Sequence, residues 1–154
     1  MEILSSDQKE SLSDDLACKS AGLMGSLGIR GNLVMPNKIN KTSIVKATGT
    51  KEKIIREVFG RVNSNTDEVS IAHMTSPEGW EEPGQQPEFD EYTYVLSGKL
   101  KVETETGNYE VKSGQAIETK KGEWVRYSTP FPSGAEYIAI CLPAFSIDLV
   151  NRDS

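Results

Sequence analysis

The side chains able to do proton, metal or nucleophile chemistry are few here. Histidine occurs once, at His73, and cysteine twice, at Cys18 and Cys141. A zinc site with four Cys or Cys/His ligands is out of reach within one chain. So is the iron facial triad, which needs two histidines. Two lone thiols do not make a disulfide framework, so the chain reads as cytoplasmic. His73 has two readings. It is a general acid or base, or an unusual metal ligand, because imidazole titrates near neutral pH; or it is a histidine merely satisfied by a carboxylate or a carbonyl. The loop 75–90 crowds acids at its end, with Glu88 and Asp90 followed by Glu91. With His73 these acids suit a hard or borderline cation, or they form a solvated rim. Trp80 and Phe89 either cover a ligand at a pocket mouth or cap the end of the domain.

Composition narrows the partners. The 154 residues are 36% hydrophobic and 26% charged, which is enough apolar material for a folded core and fits one domain. The formal charge of −6 argues against nucleic acid, which needs clustered Lys and Arg, and against anionic membrane surfaces. No stretch approaches the roughly 20 apolar residues of a membrane-spanning helix. Glu2, Asp7, Glu10, Asp14 and Asp15 exclude a cationic signal or transit peptide at the start of the sequence.

Two parts must position these side chains. Residues 1–41 read as an arm. It opens with Ser5 to Glu10, a helix-start pattern that fits a short helix through Ala17. Gly22, Gly25, Gly28 and Gly31 follow at intervals of three, with leucines between them. Residues 42–154 read as short strands separated by turn signals, the pattern of an antiparallel sandwich or barrel. Strands are expected over 42–47, 54–62, 69–74, 92–96, 100–103, 109–111, 116–119, 124–128 and 137–142. A turn is expected at Thr106-Gly107-Asn108. With no helix pattern between strands, a βαβ fold is excluded.

Within this part, Gly79 is followed by Gln85, Pro87, Glu91 and Gly98, and later by Gly114 and Gly122. The spacing resembles the two motifs of the cupin superfamily, G-x5-H-x-H-x3-E-x6-G and G-x5-P-x-G-x2-H-x3-N, over residues 43–146. Four glycines and one glutamate match. The resemblance implies an all-β, antiparallel jelly-roll β-barrel. It implies no single reaction, because one fold carries many functions. The family's metal ligands, three histidines and a glutamate, fall on Gln85, Pro87, Val125 and Glu91. Pro87 and Val125 have no donor, so the resemblance implies a degraded metal site.

The cupin positions imply that Glu91 points inward, and Thr93 with it, since alternate strand residues share a face. Val125 and Tyr127 follow by the same logic. Val69, Ile71 and His73 share a face that the two apolar residues suggest is the inner one. The expected pocket thus joins His73, Gln85, Glu91, Thr93 and Tyr127, with Trp80 and Phe89 at its mouth. The leading expectation is a small polar metabolite bound in the barrel, with Glu91 and His73 transferring protons in isomerisation, elimination or cyclisation. Gln85 and Tyr127 would orient the substrate. One alternative keeps a divalent metal on His73, Gln85 and Glu91. Another is a non-enzymatic sensor or interaction module. Tyr92, Tyr94 and Leu96, on the face opposite Glu91, predict a cover from the arm or from a second copy, and hence a homodimer.

Overall fold

The computed structural model describes residues 34–154. The arm's helix start and glycine repeat, and Cys18, lie outside the described residues. The compact unit runs over Lys38–Ser154. Its nine strands are β1 (Ser43–Val45), β2 (Ile54–Phe59), β3 (Ser70–Ser76), β4 (Trp80–Glu81), β5 (Asp90–Thr104), β6 (Gly107–Lys112), β7 (Ala116–Thr119), β8 (Val125–Thr129) and β9 (Ala135–Leu142). All pairings are antiparallel. No helix occurs among the described residues, so alternating strands alone build the barrel. It is the jelly-roll expected from the sequence.

The expected strands 92–96 and 100–103 are one strand, the 15-residue β5. Its first half pairs with β9 and β7, and its second half with β6 and β8. One strand thereby joins two sheet layers, β1-β2-β3-β9-β5-β7 and β6-β5-β8-β4. Ser97-Gly98 is therefore not a strand end. It is the bend where the register slips between Val95 and Ser97 and the chain changes layer. Gly98 sits at φ 73°, and a Cβ there would collide with the carbonyl oxygen of Gly134. Strand β4, expected as loop, is two residues paired to β8.

Two apolar clusters hold the barrel. The larger joins Trp80, Val95, Leu100, Val102, Val111, Val125, Tyr127 and Tyr137 between the layers. The smaller joins Phe89, Cys141 and Val150, with Phe145 and Leu149 against it. It seals the other end with the chain that follows β9. There residues 84–88 run between β8 and residues 149–153. Gln85 exchanges both backbone hydrogen bonds with Val125, at 2.9 and 2.8 Å, while the Gln86 and Glu88 amides donate to Asn151 and Leu149.

Candidate functional site

Cross-strand register identifies the inner wall. Ser70, Cys141, Glu91 and Thr119 form one row across β3, β9, β5 and β7. Ala72, Ala139 and Thr93 form the next, and Met74, Tyr137 and Val95 the third. The inner residues of β3 and β9 are mostly small. A lumen is thereby left open rather than filled, with a volume of about 70 Å³. Lys53 and Ile55 line it from β1–β2, Glu82, Gln85 and Phe89 from the segment after β4, Tyr127 from β8 and Arg152 from the final turn.

Glu91 is the central acid. Burial first, then the carboxylate of Glu82, pushes it up to about 7, against the pull of Lys53, Tyr127 and Thr93. It therefore exchanges its proton near neutral pH. Lys53 lies 4.1 Å from the ring centre of Trp80 and 5.3 Å from that of Tyr137. Burial alone would depress its ammonium, but Tyr137, Glu82 and Glu91 outweigh that and hold it charged. Burial raises Glu82, opposed by Lys53 and Arg152. The phenols stay neutral donors. Burial and Glu91 raise Tyr127, whose hydroxyl lies 3.1 Å from Thr119 Oγ1. Burial likewise raises Tyr137, whose hydroxyl lies 3.0 Å from Ser76 Oγ. Cys141 is held as an unreactive thiol by burial and by Glu91.

The structure brings together Glu91, Gln85, Tyr127 and Phe89, with Thr93 buried beside Glu91 on the inner face. His73 is not among them. Its neighbours Ala72 and Met74 line the lumen, so His73 faces out, where Nε2 lies 2.6 Å from Glu136 Oε1. The pairing of His73 with Glu91 is thus corrected, and with it the metal set of His73, Gln85 and Glu91. The physical reason is that β3 carries apolar residues on both faces, Ile71 on one and Ala72 and Met74 on the other. Ile71 joins Ile140 and Tyr92 in an outer row, so Val69 and Ile71 did not mark the inside. Trp80 is also corrected. It is fully buried in the main core, donates its indole N–H to the Thr48 carbonyl at 3.2 Å and supports Lys53, without lining the lumen. Phe89 lines the lumen and packs edge-on against Phe145, with ring centres 5.9 Å apart.

Lys53, Glu82 and Arg152 went unread in the sequence. Lys53, just before β2, alternates with Ile55 and Glu57 of that strand, and that pattern alone could have drawn Lys53 inward. Glu82 and Arg152 sit in irregular segments where alternation has no grip. The residues present do not fit the metal that the resemblance implies. Val125 is core, Pro87 has no donor, and no three His, Cys, Asp or Glu side chains among the described residues converge on one point. Lys53 acts on both Glu82 and Glu91, and Arg152 acts on Glu82 as well.

No family model matches the chain. A curated relative, the endoribonuclease YbeY of Myxococcus xanthus, is 34% identical over 102 residues. The match takes in 66% of this chain but only 35% of the relative, so the chain spans about a third of that protein's length. Among solved structures, EutQ of Clostridium difficile matches with a TM-score of 0.51 at 23% identity, over 60% of this chain and 63% of that one. A predicted oxalate decarboxylase of Thermotoga maritima matches with 0.59 at 16% identity, over 71% and 99%. The Cnp3 cupin domain of Schizosaccharomyces pombe matches with 0.53 at 11% identity, over 63% and 69%. At these identities the likeness establishes the fold.

Proposed function

Because the chain has the fold of the cupin superfamily, a scaffold that encloses its ligand site within the barrel, we propose that it binds a small polar metabolite there and exchanges a proton with it through Glu91. The observation that carries this reading is the convergence of Glu91, Glu82, Lys53 and the Tyr127 phenol on a lumen that side chains leave open. A buried carboxyl titrating near neutrality is suited to act as acid and as base in turn. Lys53 and the neutral Tyr127 phenol would hold negative charge developing on the substrate. This suits isomerisation, elimination or cyclisation, with Glu91 alone transferring the proton and Lys53 as the charged group beside it. The open lumen speaks against a barrel merely filled by its own side chains. The ribonuclease name of the relative is not extended to this chain, because a net charge of −6 and a lumen of this size suit no polynucleotide.

The test is to screen small metabolites by ligand-observed NMR and follow exchange of an acidic C–H of each bound compound in deuterated water. Exchange should turn on a group near pH 7 and fall by about 100-fold or more in Glu91→Gln. Exchange that survives in Glu91→Gln would remove the proton-transfer role, and binding without exchange would make the protein a receptor. The outer face of the β3-β9-β5-β7 layer supports a homodimer as its quaternary state. Tyr92, Tyr94 and Leu96 stand exposed there beside Ile138 and Ile140.

A further inference from the structure

Gln85 and Arg152 face each other across a narrow antiparallel bridge. The Gln86 amide donates to the Asn151 carbonyl at 3.0 Å and the Asp153 amide to the Gly84 carbonyl at 2.8 Å. These bonds flank the pair rather than join it, the arrangement that brings opposed side chains closest. Both residues line the lumen. Each also leaves a buried polar atom with no partner among the described residues: Gln85 Oε1, in a residue only 4% exposed, and Arg152 Nε. One is an acceptor waiting for a donor, and the other a donor waiting for an acceptor. Buried polar atoms are rarely left so, and adjacent complementary orphans call for one guest that answers both.

The charges indicate which guest. Glu57 Oε1 accepts the backbone amides of Val62 and Asn63 and keeps its charge. The charged side chains lining the lumen are Lys46, Lys53 and Arg152 against Glu57, Glu82 and Glu91. Once Glu91 carries its proton, one positive charge is left over. A carboxylate on the guanidinium balances it in a charge-assisted hydrogen bond. A hydroxyl next to that carboxylate donates to Gln85 Oε1. The lumen of about 70 Å³ holds roughly five water-sized positions, and so a guest of about that many heavy atoms. We propose that the ligand class is a small 2-hydroxycarboxylate, held by Arg152 through its carboxylate and by Gln85 through its hydroxyl. Side-chain rotation is all the seat requires, since the ladder bonds on either side fix both backbones. The inference rests on the barrel pocket of the preceding reading and supplies its substrate class.

The experiment titrates the full chain, 15N-labelled, with glycolate, acetate and ethylene glycol while following the Arg152 Nε–H and Gln85 side-chain amide signals. Glycolate should shift both and bind at least tenfold more tightly than either half-mimic. Arg152→Gln should weaken glycolate at least tenfold, with Arg152→Lys as a second variant that keeps the charge but not the forked donors. Gln85→Leu should bring glycolate and acetate within twofold of each other. Acetate binding as well as glycolate, or glycolate binding unaltered in both Arg152 variants, would overturn the proposal. A set of neutral polar fragments is titrated alongside. Fragments that shift lumen signals while glycolate shifts none would overturn the ligand class but spare the pocket. Silence from all of them would overturn both.

Discussion

Glu91 is a carboxyl that the native barrel keeps protonated well above its ordinary 4.5, to about 7. The unfolded chain releases that proton earlier. The group therefore costs no stability below pH 4.5, costs progressively more as pH rises through 7, and costs most above it. A gap of this size corresponds to about 3 kcal/mol at full ionisation. Urea unfolding at pH 5 and pH 8 should show the wild type losing stability over that interval, and Glu91→Gln losing about 2–3 kcal/mol less. Equal losses in both proteins would mean that Glu91 does not titrate in this range. Lys53 lowers the pKa of Glu91. Replacing it by Met should move the Glu91 carboxyl titration, read by 13C NMR, above 7, whereas a downward move would remove Lys53 from the site.

Strand β5 belongs to both layers, and the bend at Gly98 is what allows it. Any other residue there meets both a left-handed backbone, at about 1–3 kcal/mol, and the carbonyl of Gly134. Gly98→Ala should cost at least about 2 kcal/mol in urea unfolding, and a wild-type midpoint would show that the bend relaxes freely. The closing segment is held differently, by apolar contact. Phe89 is 2% exposed and packs with Cys141, Val150 and Phe145 below the bridge that carries Arg152. Phe89→Ala should cost about 3–5 kcal/mol and broaden the Arg152 Nε–H signal as the segment loosens. A sharp, unshifted signal would separate that cluster from the site.

For the whole molecule, the proposed homodimer rests on the outer face of the β3-β9-β5-β7 layer. Tyr94 is 48% exposed in a row with Ile138, while Tyr92 is in a row with Ile140 and Ile71. These apolar residues, with His73 and Glu118 in the same rows, lie on the side of the sheet away from the lumen, so pairing would leave the site intact. Light scattering at micromolar concentration should give about twice the 16.9 kDa of one chain. Tyr94→Arg should halve that mass, because a desolvated unpaired charge at the centre of an interface is not tolerated. A wild-type mass of one chain would assign the face to another cover.

The barrel was legible in the sequence because its cues are local. Turn residues recur at strand spacing, and the glycines of the two motifs, Gly79, Gly98, Gly114 and Gly122, all sit at positive φ, where a side chain is strained. Glu91, tied to one of those glycines by its spacing, was found with them. Gln85 and Tyr127 followed from the same motifs. The identity of the inner face of β3 was not legible. Alternation reports that neighbouring residues point opposite ways and not which way is in, and a strand with apolar residues on both sides, as β3 has, hides the difference. That ambiguity misplaced His73. Lys53, Glu82 and Arg152 lie up to 99 positions apart and share no periodic pattern. Only closure of the barrel, with residues 149–153 laid along residues 84–88, sets their charges against Glu91. The sequence by itself determined the scaffold and its central acid; tertiary structure decided that acid's partners, because long-range pairing alone brings those charges together.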